Sequence, residues 1–277
     1  TRVPHPGERG PILKVMRLLE QVAARVYPPA MEEKGAGLPT DQILGKVDGG
    51  TLEFYASKFA RALGVENLNY YRARASSVEV LVETGDAPSL LLGPRLRAEP
   101  PREAAHAVAR VLWYVADGVP LLGKLKGEVY DRLVLATIAS VLDGEASRAL
   151  AAKARADKTD LEHVRGKLGR KLLKEMRVAA EEALPLLGED PRGAVRDWRK
   201  AVQMSADRAA LLLTGDVPGA IRRALGGGAP AEIAAREPSR VAEIVRASAE
   251  TLELIRFACS EEFFVLREAL GFTGRAD

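Results

Sequence analysis

The chain has 277 residues, 47% of them hydrophobic and 29% charged, a composition that fits a globular protein and excludes extensive disorder. Its formal net charge of +3 is too small to indicate nucleic acid as a partner by itself. The single cysteine, Cys259, excludes an internal disulfide framework and any cysteine-rich zinc module, so we expect a reducing, cytoplasmic location.

The first part of the chain predicts two helices. Residues 11–27, PILKVMRLLEQVAARVY, carry apolar side chains at helical spacing, and prolines and glycines then end the helix. A second helix is predicted over residues 51–63. No apolar run approaches the ~18 residues that span a bilayer, and the start lacks a secretory signal, so we expect no transmembrane segment. Because the sequence begins with Thr1 rather than Met, we expect a processed terminus or a longer parent chain.

Residues 67–92 change character and predict the one small β-sheet of the protein. The runs LNYYRARA, SVEVLVET and SLLLG are short, partly alternating and rich in valine and tyrosine. If SLLLG is the edge of this sheet, an extended peptide could add there as a further strand near Leu90–Leu92.

Beyond the sheet the pattern is helical almost throughout. EPPREAAHAVARVLWYVADG has prolines at its entry and ends at Gly118, and GEVYDRLVLATIASVLDG repeats that arrangement. Asp190 as N-cap and Pro191 in the first turn predict a long helix to about Leu213. The expected fold class is therefore α+β and predominantly helical.

A further helix is predicted from Thr159 to about Leu184, and it contains a basic stretch. In residues 163–177, HVRGKLGRKLLKEMR, basic side chains lie opposite an apolar stripe. Such a helix can meet nucleic acid or an acidic membrane surface, although most are solvated faces and this one lacks aromatic residues for base stacking. The residues of this candidate anion-binding face are Lys167, Arg170, Lys171 and Lys174.

The stretch EAAHAVARVLWYVADG places His106 where certain zinc peptidases carry a metal ligand. Those enzymes use His-Glu-x-x-His, because residues four apart lie on one helix face and both imidazoles reach one zinc ion. The Glu between them accepts a proton from the metal-bound water. Here the residue four positions after His106 is Arg110.

Two stretches resemble one family. AHAVAR, residues 105–110, resembles the Ala-His-Glu-x-x-His motif of the heat-shock and CAAX-prenyl type zinc endopeptidases, which are gluzincins. QMSADRAALLLTGD, residues 203–216, is similar to the segment of that family that begins with the third zinc-ligand Glu. The resemblance spans roughly residues 63–225 and implies a gluzincin-like core with helical additions at both ends. The expected organisation is an N-terminal helical segment over 1–65, the core over 66–225 and a C-terminal helical segment over 230–277.

Compared residue by residue, the match is broken at the catalytic positions. His106 takes the first ligand position, but Ala107 stands at the general base, Arg110 at the second His and Gln203 at the third ligand. An arginine is always protonated and repels zinc, and a carboxamide is a poor substitute for a carboxylate. Asp207 matches an aspartate that orients a ligand in the family. We therefore expect an inactive peptidase fold with no metal and no cofactor.

We expect Arg110 to fill the vacated metal position, pairing with Asp207 or bonding Gln203, because a buried face that once held a dication still needs charge balance. The function expected is that of a non-catalytic scaffold or regulatory module with a protein partner. In the relatives such degenerate domains often end bacterial tetratricopeptide-repeat proteins. Two alternatives stay open: a metal-dependent hydrolase with an atypical site around His106, and a binder of anionic surfaces through residues 163–177.

Overall fold

The protein is α+β and predominantly helical, with one small sheet. The computed structural model describes seven stretches, which are residues 3–29, 52–73, 79–84, 87–98, 101–156, 158–225 and 237–272. Within these stretches there are fifteen α-helices, two short 3₁₀ turns and three β-strands. In the same stretches no helix is both long and apolar enough to cross a lipid bilayer.

The N-terminal part contains a 3₁₀ turn and three helices, which are Pro6–Glu8, α1 (Pro11–Glu20), α2 (Ala23–Val26) and α3 (Leu52–Ala62). The single helix predicted over residues 11–27 is therefore broken. The N–H groups of Gln21 and Val22 turn back to carbonyls three residues earlier, at 3.3 and 2.9 Å, which tightens the turn and ends α1.

The sheet contains β1 (Asn69–Arg72), β2 (Val80–Glu83) and β3 (Ser89–Leu92) in the spatial order β1-β3-β2. β3 pairs parallel with β1 and antiparallel with β2, so its backbone is hydrogen-bonded on both sides. The prediction that a peptide adds to an edge at Leu90–Leu92 is therefore wrong. β3 is the last strand in sequence but the central one in space, because β1 and β2 occupy the two edges of the sheet and β3 pairs between them.

The helices that follow the sheet, together with a second 3₁₀ turn, are α4 (Pro94–Ala98), α5 (Pro101–Ala116), α6 (Leu121–Lys124), α7 (Gly127–Val141), α8 (Gly144–Ala154), α9 (Lys158–Arg165), α10 (Arg170–Leu187), α11 (Pro191–Thr214), α12 (Val217–Ala224), Pro238–Arg240, α13 (Val241–Ala247), α14 (Ala249–Ala258) and α15 (Glu261–Ala269). The predicted start of α11 is confirmed: the carboxylate of Asp190 accepts from Gly193 N at 2.9 Å. Gly215 then ends α11 in the left-handed region, at φ +67°.

The basic stretch predicted as one helix over residues 163–177 is divided between two. α9 ends at Arg165 and α10 begins at Arg170, with glycines at positions 166 and 169 of the connection. Gly169 has an extended backbone (φ −72°, ψ 159°) and is the N-cap of α10. Glycine loses more conformational entropy in a helix than other residues do. Two glycines three residues apart therefore favour a break in the helix that the apolar stripe predicts.

The centre of the molecule is the pair α5 and α11, which pack against each other more extensively than any other two elements. On one side, α1, α7 and α10 share a large apolar core with α11, and the sheet and α3 form a second core against α5. α14 and α15 pack on α11 in a third, smaller core. The 3₁₀ turn Pro6–Glu8 and α3 from the N-terminal part, and α14 and α15 from the C-terminal part, thus all pack on the central pair.

Candidate functional site

The contact between α5 and α11 brings together three of the residues singled out in the sequence. His106 and Arg110 lie one turn apart on α5, and Asp207 faces them from α11. Small residues make this approach possible: Ala105, Ala109 and Ala210 are buried along the interface. We refer to His106, Arg110 and Asp207 as the α5–α11 cluster.

The distances in this cluster are short. Nε of Arg110 lies 2.5 Å from Oδ1 of Asp207, and Nε2 of His106 lies 3.7 Å from the same oxygen. The Nε–H group of Arg110 is not aligned for a hydrogen bond to Asp207, so the contact between the two side chains is an electrostatic ion pair. The predicted pairing of Arg110 with Asp207 is present, and the alternative partner, Gln203, is half-buried on α11 one turn earlier.

Burial controls the charge of His106, whose side chain is only 1% exposed. Desolvation lowers the pKa of His106, and the guanidinium groups of Arg110 and Arg223 lower it further, although the Asp207 carboxylate opposes the shift. Desolvation alone would lower the pKa of Arg110 as well, but Asp207 reverses this and the pKa is raised. At neutral pH the cluster is therefore a neutral imidazole beside a fixed ion pair.

Both ring nitrogens of His106 are buried and lack a hydrogen-bond partner among the described residues. Such orphaned groups are rare in folded proteins and cost about 1–3 kcal/mol each. The separation of 3.7 Å between His106 Nε2 and Asp207 Oδ1 is close to the roughly 3.4 Å expected between two ligands of a tetrahedral zinc ion. Among the residues that the structure describes, however, no group of three or more His, Cys, Asp or Glu side chains could hold a metal.

The remaining predicted site residues are less engaged. Ala107, which the resemblance aligns with the general base, is 7% exposed and belongs to the apolar core between α5 and the sheet. Its methyl group has no acid–base chemistry. Gln203 has no hydrogen bond or ion pair to the described residues.

A second polar cluster, which sequence reasoning missed, fastens the N-terminal segment to the centre. Glu8 is fully buried, and its Oε2 accepts a short hydrogen bond from the hydroxyl of Ser205 on α11. The Glu8 carbonyl accepts from Trp198 Nε1 at 2.9 Å, and the N–H of His5 donates to Ser205 Oγ at 2.7 Å. The sequence offered no signal for this cluster, because its members lie up to 200 residues apart.

Glu8 also meets Asp117, at the C-terminal end of α5. Desolvation raises the pKa of Glu8 to about 8, the contact with Asp117 adds to the shift, and Ser205 and Arg17 oppose it. Arg17 holds Asp117 through two bonds, from Nη2 to Oδ1 at 2.5 Å and from Nε to the backbone carbonyl at 2.7 Å. Glu8 is therefore mostly protonated at neutral pH, and the Asp117 charge is balanced by Arg17.

The four basic residues of the candidate anion-binding face are all exposed, around the connection from α9 to α10. We call them the basic surface. Lys171 is 93% exposed and forms an ion pair with Glu175 at 3.9 Å. The other two cations of residues 163–177 form hydrogen bonds within the protein. Arg165 donates to the Ser140 carbonyl at 3.3 Å, and Arg177 donates to the Val141 carbonyl at 3.1 Å.

Comparisons of this chain with protein-family models, with curated proteins and with solved structures found no match. The resemblance to the zinc endopeptidases therefore depends on the residues quoted above and on no wider similarity.

Proposed function

We propose that the chain is a non-catalytic interaction module, a scaffold or regulator with a protein partner, built on a fold similar to that of the gluzincin zinc peptidases. The observation that carries this proposal is the ion pair of Arg110 and Asp207 beside the buried, neutral His106. A guanidinium lies where a catalytic metal would need a ligand.

Charge explains why this arrangement opposes metal binding. A dication placed between His106 and Asp207 would lie within a few ångströms of a guanidinium that cannot lose its proton. At such distances in a partly buried site, the repulsion between like charges amounts to several kcal/mol. The carboxylate that would attract the metal is already neutralised by the arginine.

The missing general base points in the same direction. Peptide hydrolysis of this type needs a metal-bound water and a nearby carboxylate to take its proton. The position between the two motif residues is Ala107, whose side chain is buried and cannot act as a base. The position of the third ligand is Gln203. An intact helix pair with these replacements supports binding without turnover.

The proposal is tested by restoring the motif. The triple substitution A107E/R110H/Q203E returns the residue types that a gluzincin site requires, and we expect it to bind one equivalent of zinc, measured by elemental analysis after dialysis. The wild-type protein should retain no stoichiometric zinc. The matched control adds His106→Ala to the triple variant and should lose the metal while keeping the same circular dichroism spectrum.

Two outcomes would overturn the proposal in different ways. If the folded triple variant binds no zinc, the helices do not converge as they do in gluzincins, and the resemblance fails. If the wild-type protein holds one zinc that His106→Ala removes, the chain is a metal-dependent protein, and the hydrolase alternative is favoured instead.

A second candidate function is supported by the basic surface. Its four cations are exposed, and within the described stretches only Lys171 has an ion pair, so they are available to an anionic partner. Binding through such a surface is electrostatic and weakens steeply as salt is raised. The double substitution K171Q/K174Q should then weaken binding to duplex DNA or to phosphatidylglycerol vesicles and make the binding less dependent on salt. The control K58Q/K200Q removes the same charge elsewhere, and equal losses in both variants would reject a specific surface.

A further inference from the structure

A large cavity lies where the N-terminal segment, the end of α5, the end of α11 and α15 meet. Its volume is about 840 Å³, within the range of roughly 300–1,000 Å³ that is typical of small-molecule sites. The cavity lies apart from the α5–α11 cluster, and none of the five predicted site residues lines it. We call it the N-terminal cavity.

The walls of the cavity are mostly apolar. Side chains from five parts of the chain contribute: Leu13 and Leu18 of α1, Leu63 after α3, Trp113 of α5, Leu212 of α11 and Leu266 of α15 are among them. Several small residues, Ala116, Ala209 and Ala269 among them, keep the space open. Binding of an alkyl chain between such walls is favourable, and the free energy of binding grows with the apolar surface that is removed from water.

The charged residues that line the cavity make its rim positive. Three exposed cations line it, Arg9, Lys14 and Arg17, and the acids that line it are Glu8 and Asp117. Glu8 is buried and, with a pKa raised to about 8 by desolvation, is mostly uncharged at neutral pH. The lining cations therefore number three, against the negative charge of Asp117 and that of Glu182, which pairs with Lys14 from outside the cavity at 3.3 Å, so that one positive charge is in excess at the rim.

We propose that the N-terminal cavity binds a single-chain amphiphile, with its alkyl chain against the leucines and its carboxylate head at Arg9 and Lys14. The occupant is a soluble, monomeric fatty carboxylate. A cationic head would meet the excess positive charge of the rim, and a neutral head would gain nothing from it.

Lys14 is the residue best suited to report on the head group. Its side chain is 53% exposed, and its ammonium group pairs with the half-exposed Glu182 at 3.3 Å, a contact that a ligand can replace at little cost. Arg17 is less suitable, because its two bonds to Asp117 hold α1 to the end of α5. The substitutions that test the head group are therefore Arg9→Gln and Lys14→Gln.

The experiment is a titration of the whole chain with three probes of equal chain length, dodecanoate, dodecanol and dodecylammonium, each below its critical micelle concentration. Calorimetry gives affinity and stoichiometry, and the fluorescence of Trp113, which lines the cavity, reports on the site. We expect one dodecanoate per chain, bound at least about tenfold more tightly than dodecylammonium. In Trp113→Phe the fluorescence change should be lost while calorimetry still detects binding.

Two pairs of variants locate the site. R9Q/K14Q should weaken dodecanoate about tenfold and leave dodecanol unchanged, since each exposed charge contributes only a few-fold. The control K171Q/K174Q removes the same charge on the basic surface and should have no effect. Ala269→Trp narrows the cavity from an exposed position and should weaken all three probes, whereas Ala152→Trp, exposed on α8, should weaken none.

Four results would overturn the proposal. One is dodecylammonium binding as tightly as dodecanoate, and another is equal weakening of dodecanoate in R9Q/K14Q and K171Q/K174Q. The third is a protein that sediments with phosphatidylglycerol vesicles but does not bind monomeric dodecanoate, because the charged rim would then be a membrane-surface site. The absence of all binding to the folded chain would likewise reject the cavity as a ligand site.

Discussion

Replacing Glu8 by Gln should make the stability of the protein less dependent on pH. Glu8 is fully buried, bonded to the Ser205 hydroxyl and in contact with Asp117, and its pKa is raised to about 8. In the unfolded chain the same group titrates near its ordinary value of about 4.5. Gln has the shape of the protonated acid, since its carbonyl can accept from Ser205 and its amide can donate to Asp117.

The sign and size of the effect follow from proton linkage. Between about pH 4.5 and 8 the folded protein holds the Glu8 proton and the unfolded chain does not, so unfolding releases a proton and rising pH favours it. One proton changes the free energy of unfolding by about 1.4 kcal/mol per pH unit. The wild-type protein should therefore lose up to about 3 kcal/mol between pH 5 and pH 7 through Glu8, and Glu8→Gln should not.

The assay is urea unfolding of both proteins at several values between about pH 5 and pH 8. The quantity of interest is the stability of Glu8→Gln minus that of the wild type, because other buried acids such as Glu20, whose pKa desolvation also raises to about 8, cancel in the difference. This difference should start near zero and rise with pH. Glu268→Gln controls for the loss of a carboxylate at an exposed position. Parallel curves for wild type and Glu8→Gln would refute the buried, protonated Glu8.

Three further predictions concern stability and are all checked by denaturant unfolding. Asp207→Asn should lower the free energy of unfolding by about 1–3 kcal/mol, because the guanidinium of Arg110 is left in a partly buried site without a carboxylate. A decrease below about 0.5 kcal/mol would contradict this. Gly215→Ala should cost more than Gly188→Ala: both glycines have positive φ, but only at position 215 would a Cβ lie 2.7 Å from the guanidinium of Arg267. Equal costs would show that this approach is unimportant. Tyr130→Phe should be neutral or stabilising, because the buried hydroxyl has no hydrogen-bond partner in the described stretches, and a cost above about 1 kcal/mol would reveal one.

Local sequence signals predicted the elements that depend on neighbouring residues. Helix starts and stops at Asp190, Pro191 and Gly118 agree with the structure, because capping and left-handed turns are decided within a few positions. The small sheet was predicted from the composition of its strands. Where two local signals competed, the prediction was wrong: an amphipathic stripe favoured one basic helix, and Gly166 and Gly169 divided it.

Strand order was beyond the reach of such signals. Each strand of the sheet is only four residues long, and β3 reads the same in sequence whether it lies at an edge or at the centre. Its central position follows from its two pairings: Tyr70 of β1 pairs with Leu90 on one side, and β2 pairs with β3 on the other. Neither pairing is marked in the sequence of the strands. The loss of the proposed peptide edge at Leu90–Leu92 is therefore a consequence of topology.

The sequence by itself determined that the chain is helix-rich with a small sheet, and it is the sole basis of the proposed resemblance in which Ala107, Arg110 and Gln203 stand at the positions of a zinc peptidase motif. These properties follow from residue types at fixed spacing along one helix or strand. Only the tertiary structure decided that Arg110 reaches Asp207 and that Glu8 is buried against Ser205. The energies of those contacts arise from burial and charge between residues about a hundred or more positions apart, and no local pattern records them.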